Sequence, residues 1–284
     1  TTSAAGTYSG VGVLDGNIYL GSSRVSTATA LSVTSTLDVF NRAGALLQTI
    51  TIPYGVSAFG ADDIGTTGVT VGGPGQFDIV IDLPAGLSAN DTQAFISAEQ
   101  KWESIIRGDL PDVIVANVGT IDDLVITVRV TAIDGPGGVL GQTGIDVQRI
   151  GSFLPAMASI TIDSADLGTL NADGSLSDVI LHEVGHALGF GTVWAQQGLL
   201  VSAGTTNPRF IGSLATAEYD RIFRTSEPNV PAENSGGAGS TDAHWRESRF
   251  GNELMSSVIR SGSNPLSRVT VAALADMGYQ VDFN

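Results

Sequence analysis

The feature that most constrains this chain is the pentapeptide His182-Glu183-Val184-Gly185-His186, which holds two of the three histidines in the sequence. In a helix, residues i and i+4 lie on one face, so both imidazoles can reach a single metal ion. Glu183 is rotated about 100° from His182, so it lies beside that metal rather than on it. A carboxylate placed there can take a proton from a metal-bound water. The flanking sequence predicts the helix. Ser177 offers a cap, Asp178 suits the positive N-terminal end, and Val179, Ile180, Val184, Ala187 and Leu188 supply apolar faces. The competing reading, a chance match on an ordinary amphipathic helix, is weakened by how scarce histidine is here.

Composition narrows the remaining classes. The chain of 284 residues has no cysteine, which excludes disulfides, thiolate zinc sites and cysteine nucleophiles together. With 13 basic against 29 acidic side chains, the net charge is -16, which argues against nucleic acid and anionic membrane surfaces as partners. No apolar run approaches the ~20 residues of a spanning helix, and no basic-then-apolar signal peptide opens the chain. The start at Thr1-Thr2-Ser3 reads as a processed or trimmed terminus. Acidity, absence of cysteine and a single lysine, Lys101, suit a secreted bacterial protein, with a cytosolic one left open. A 42% apolar content supports a real core, while 36 glycines and only 15% charged residues suggest strands, turns and ordered loops rather than a helical bundle.

The hydrophobic period changes along the chain. Residues 1–74 contain no convincing helix. Leu31 to Phe40 and Leu47 to Ile52 alternate with period two, parted by Asn41-Arg42-Ala43-Gly44 and followed by Pro53-Tyr54-Gly55, as short antiparallel strands do. Gly72-Gly73-Pro74-Gly75 makes a boundary. Beyond it, Phe77, Ile79 and Ile81 mark a strand. Ser88 to Ile106 takes helical spacing behind an Asn90-Asp91 cap, Leu124 to Ala132 marks a second strand, and Met157 to Ile162 a third. No Gly-rich run joins a strand to a helix, so no phosphate loop is predicted.

A catalytic zinc usually has three protein ligands and keeps its fourth position for water. The remaining histidine, His244, is one candidate for the third. Glu218, in Ala217-Glu218-Tyr219-Asp220, is the other, and would resemble the helix-borne glutamate of thermolysin-like enzymes. Gly189 favours His244, because a glycine three residues after His186 can end the helix in a left-handed turn and swing the chain back under the metal.

His182-Glu183-x-x-His186-x-x-Gly189-Phe190-Gly191 resembles the metzincin zinc signature, but its next position is Thr192, no strong zinc ligand. Leishmanolysins have the same gap, an insertion ahead of their third histidine. Here His244 lies 58 residues beyond His186, and His244-Trp245 precedes Asn252-Glu253-Leu254-Met255. That is similar to the leishmanolysin His-Trp pair ahead of a Glu-Leu-Met turn. Leu266-Ser267-Arg268 through Leu274 to Tyr279 resembles that family's last helix. Gly141-Gln142-Thr143-Gly144 and Asp163 to Leu167 resemble its bacterial members. The likeness covers about residues 76–284 and says nothing of residues 1–74.

The resemblance implies that His182, His186 and His244 hold one zinc ion, that Glu183 is the general base acting on zinc-bound water, and that Met255 forms the turn beneath the metal. It implies a metzincin-like catalytic domain, a twisted mixed sheet with an active-site helix and a C-terminal subdomain; with the small all-β module read from the alternation of residues 1–74 ahead of it, the expected fold is α+β. The boundaries are 1–74 for the module and 75–284 for the catalytic domain, split into 75–189 and 190–284. In metzincins the strand ahead of the zinc helix is an edge that pairs with extended substrate, which here would be Met157 to Ile162; the plainer reading is a buried strand. The implied activity is a zinc-dependent endopeptidase acting on extended peptide or protein, with a monomer favoured. Its rivals are a catalytically idle zinc-containing adhesion module and a thermolysin-like peptidase using Glu218. Met255 alone could be an ordinary core methionine, and Trp194 and Trp245 read as packing residues. The acidic pairs Asp62-Asp63 and Asp122-Asp123 are candidate calcium ligands, although most such pairs are solvated turns.

Overall fold

A computed structural model describes residues 75–115, 118–237, 239–260 and 262–283, and ahead of them the backbone of four strands. These are β1 (Tyr8–Leu14), β2 (Asn17–Val25), β3 (Val33–Phe40) and β4 (Leu46–Ile52). They form an antiparallel meander in the order β1-β2-β3-β4. Thr1-Thr2-Ser3, the turns at 41–44 and 53–55, Asp62-Asp63 and the boundary residues 72–74 lie outside the described residues. The chain divides into two compact units, Thr1–Gly73 with Ile114–Thr120, and Pro74–Val113 with Ile121–Asn284. A short pair, β6 (Val113–Val115) with β7 (Gly119–Ile121), spans the point where the chain passes from one to the other.

The second unit is built on a mixed sheet of β5 (Ile79–Asp82), β8 (Leu124–Thr131), β9 (Gly141–Gln148) and β10 (Pro155–Asp163), in the order β5-β8-β10-β9. β5, β8 and β10 are parallel and β9 runs antiparallel on the outside. Parallel neighbours need a crossover, and α1 (Ala89–Ile105) supplies the one between β5 and β8. The cap of α1 differs from the Asn90-Asp91 reading. Ser88 Oγ accepts from Asp91 N at 3.1 Å while Asp91 Oδ2 accepts from Ser88 N at 2.9 Å, a reciprocal capping box.

Strand Met157 to Ile162 is the plain buried reading rather than the substrate-facing edge. It lies within β10, flanked on both sides by β8 and β9, and its Ala158, Ile160 and Ile162 are buried. The edge on that side is β9. Two glycines and a sparse apolar alternation hide it from periodicity, because an edge strand with one solvated face needs few apolar residues.

After α2 (Leu167–Asp173), α3 (Leu176–Ala187) carries the pentapeptide. Ser177 sits inside its first turn and is not the cap. Ser175 occupies the cap position, its own N–H and hydroxyl donating to Asp173 Oδ1 at 3.0 and 2.6 Å. Phe95, Ala98, Trp102 and Ile105 of α1 are buried, as are Val179, Ile180 and Val184 of α3, and Trp102 Nε1 donates to Leu181 O at 3.0 Å.

The C-terminal part holds β11 (Leu200–Val201), β12 (Arg209–Phe210) and β13 (Val230–Pro231) as a small sheet, with α4 (Ser213–Phe223), α5 (Glu247–Phe250) and α6 (Arg268–Met277). Asp276 of α6 accepts from Leu214 N and Ala215 N at 3.0 and 2.8 Å, joining the start of α4 to α6. Phe190, Trp194, Phe210, Trp245 and Phe250 pack ring against ring, with centroids between 4.5 and 5.6 Å for the contacting pairs. Trp194 and Trp245 are fully buried and are packing residues, as expected.

Candidate metal centre

Helix α3 brings His182 and His186 together one turn apart, and the long loop after α4 returns His244 to face them. The three Nε2 atoms stand 2.9 Å apart for His182 and His186, 2.9 Å for His186 and His244, and 3.1 Å for His182 and His244. The remaining ring nitrogen of each lies against a main-chain carbonyl: His182 Nδ1 at 2.6 Å from Leu254 O, His186 Nδ1 at 2.8 Å from Phe190 O, and His244 Nδ1 at 3.0 Å from Ser240 O. A carbonyl only accepts, so each Nδ1 carries the proton and each Nε2 is left with a lone pair. Three lone pairs turned toward one another repel, and a shared cation resolves the repulsion. The donor set suits zinc, which binds neutral imidazoles.

All three imidazoles are buried, and burial disfavours their charged forms. Burial, reinforced by the neighbouring His244, pulls His182 down to about 3. Burial and its two histidine neighbours hold His186 well below the ordinary range, and burial also lowers His244. The site therefore presents neutral imidazoles at neutral pH, as metal ligation requires.

Glu183, next to His182 in the helix, lies against β9. The residue is 5% exposed, and its carboxylate accepts from Thr143 Oγ1 of β9 at 2.6 Å. Burial pushes its carboxyl up to about 7, against the pull of the Thr143 hydrogen bond. Thr143 went unrecognised in the sequence as a partner of Glu183, since nothing in a Gly-Gln-Thr-Gly run announces what lies across from it.

Gly189 has φ +100, and α3 stops at Ala187 just ahead of it, so the left-handed stop is present. Gly191 is the stricter requirement. A Cβ there would lie 1.9 Å from Ala243 O, so only glycine lets this strand of chain pass against the residue that precedes His244. Met255 is fully buried against α3, where a Cβ on Gly185 would meet its Sδ at 2.7 Å. Glu253 holds the Met255 turn in place. Its buried carboxylate accepts from Met255 N at 2.6 Å, Ser267 N at 3.0 Å and Thr270 Oγ1 at 2.5 Å, fastening the turn to the start of α6. Leu254, between them, offers the carbonyl that orients His182.

Glu218 is not among the metal-facing groups. It lies on α4 and accepts from Arg221 at 2.6 Å and Arg268 at 3.3 Å. Partial burial alone would raise its carboxyl, but the two guanidinium groups hold it below the ordinary range. Its charge is already answered.

His182, His186 and His244, brought to one point by helix α3 and a long loop, form a group that could hold one metal ion. The family model for leishmanolysin matches residues 107–284, and the chain belongs to the leishmanolysin family of zinc-dependent metallopeptidases. Among curated proteins, none matches the chain.

Proposed function

We propose that this chain is a zinc endopeptidase of the metzincin type, with His182, His186 and His244 as the ligands and Glu183 as the general base. The observation that carries the reading is the convergence of three deprotonated Nε2 atoms at 2.9 to 3.1 Å, each ring fixed from behind by a carbonyl. His182, His186 and His244 would hold the zinc ion, which would supply polarisation of the scissile carbonyl and a more acidic water.

The chain's own residues supply the rest. Glu183, buried and held by Thr143, accepts the proton of the attacking water on its carboxylate. It delivers that proton to the amide nitrogen as the carbon–nitrogen bond breaks, so the leaving group departs as a neutral amine. β9 ends the sheet, leaving its outer edge without a partner strand among the described residues. An extended peptide adding to that edge by main-chain hydrogen bonds would lie alongside Thr143, next to Glu183. Met255 beneath α3, with Gly185 making room for it, supports the metzincin assignment. An idle binding module would need the three histidines but no buried carboxylate next to His182 in the helix.

The test is metal analysis of the purified protein paired with casein digestion before and after chelation. One zinc per chain, with activity lost on chelation and restored by zinc, is the expected result. Digestion that survives full removal of the metal would refute the reading.

A further inference from the structure

Apart from the histidines, one group of side chains among the described residues brings metal-ligand atoms together. Carboxylate oxygens of Asp78, Asp122 and Asp123 lie within 4.8 Å of one another. The sheet register is the cause. β5 and β8 pair in parallel with Ile79 beside Leu124, so the residues just before them, Asp78 and Asp123, are neighbours at the N-terminal ends of adjacent strands. The Asp122-Asp123 pair is therefore no solvated turn.

The carboxylates are unequally satisfied. Asp123 accepts from Asp78 N through Oδ2 and from Leu110 N through Oδ1, both at 2.8 Å. Asp122 is 7% exposed, and its Oδ2 is buried without a hydrogen-bond partner. A buried carboxylate oxygen with no donor calls for a cation or a proton. The buried Arg149 guanidinium is close by, yet its hydrogen bonds go to the main-chain carbonyls of Pro111, Pro155, Asp122 and Asp123 and none to a carboxylate. Asp109 and Asp112 add further negative charge. Burial, then repulsion from Asp123, a side-chain hydrogen bond with Asp112 and repulsion from Asp109 and Asp112, pushes the Asp122 carboxyl up to about 7.

We infer that Asp78, Asp122 and Asp123 form a calcium site that ties the N-terminal ends of β5 and β8 together. The ligands are all hard oxygens. Calcium binds such oxygens at about 2.3–2.6 Å, so its ligands stand at most about 5 Å apart, and the three carboxylates, within 4.8 Å of one another, can share one ion. Magnesium keeps several waters and is usually held by one or two carboxylates, so three carboxylates suit calcium better. The site is distinct from the histidine centre and stands whether or not the chain is a peptidase.

The test uses the full zinc-loaded chain, freed of other divalent ions and titrated with calcium chloride. Calorimetry should show one saturable calcium per chain. At calcium a hundredfold above Kd, Tm should rise by about 5–10 °C. Asp122→Asn should abolish this shift, and in calcium-free buffer it should melt no lower than the parent, because it removes a repelled charge. If Asp122→Asn does not fold, Asp78→Asn, at a half-buried position, should likewise abolish the shift. The inference is overturned by no saturable binding up to about 10 mM, well above the range of weak extracellular calcium sites. It is equally overturned by an undiminished shift in the folded variant, or by an equal shift with magnesium.

Discussion

Gly191→Ala tests whether the chain crossing beneath α3 is what sets His244. The new Cβ would lie 1.9 Å from Ala243 O, 2.6 Å from Ala243 C and 2.8 Å from its Cα. All three are backbone atoms, so no side chain can swing aside. Reaching an ordinary carbon–oxygen contact of about 3.3 Å requires the two segments to part by more than about 1 Å. His244 follows directly, while zinc ligands tolerate displacements of only about 0.2 Å. Zinc affinity should fall by about 10–100-fold, the loss typical when groups that orient ligands are removed. The left-handed backbone, φ +72 at Gly191, adds about 1–2 kcal/mol for any side chain. Overpacking adds about 1–3 kcal/mol, for a total near 2–5 kcal/mol.

Gly198 provides the control. It has nearly the same conformation, φ +70, with nothing within 4 Å of a Cβ. Gly198→Ala should carry the backbone cost alone and bind zinc as the parent does. Competitive zinc titration against a chromophoric chelator and urea unfolding would measure both quantities. Unchanged zinc affinity in Gly191→Ala, or equal weakening in the two variants, would refute the reasoning.

Glu183→Gln should retain zinc, since the three imidazoles are untouched, and lose about 10²–10⁴-fold in peptide hydrolysis; steady-state kinetics on zinc-loaded protein decides it. In a side-by-side zinc titration, His244→Ala should bind poorly and Glu218→Ala normally, since Glu218 is paired with Arg221 and Arg268. Hydrolysis should fall as pH drops through about 7, where burial places the Glu183 carboxyl, because only its deprotonated form accepts a proton. Thr143→Val removes a hydrogen bond that favours the charged form, so the acid limb of the kcat/KM profile should move to higher pH with zinc content unchanged.

What could be read from the sequence alone was whatever depends on residues near one another along the chain. The spacing of His182 and His186 defines a helix face, and the residues around it supply that helix wherever it packs. Gly189 marks its end. The strands ending near Asp82 and Thr131 show in their alternation, and the leishmanolysin likeness is carried by short runs of residues. Caps sat one step less securely. Ser88, not Asn90-Asp91, starts α1, because the capping box depends on which hydroxyl reaches which N–H, and several neighbours could compete.

Tertiary structure decided whatever depends on who lies across. His244 stood only as the last remaining histidine and by resemblance. Its approach to His186 at 2.9 Å depends on a long loop, on Gly191 passing against Ala243, and on the carbonyl of Ser240. Backbone carbonyls behind the imidazoles have no side-chain signature, so no residue pattern could name Leu254, Phe190 or Ser240. Strand order placed β10 inside the sheet and β9 at its edge, which moved the exposed edge to Thr143 and its neighbours. The same register set Asp78 beside Asp123, 45 residues apart, and added to the Asp122-Asp123 pair a third carboxylate that the sequence did not point to. Local periodicity encodes which face of an element is apolar, but the partner of that face is chosen by the packing of the whole chain.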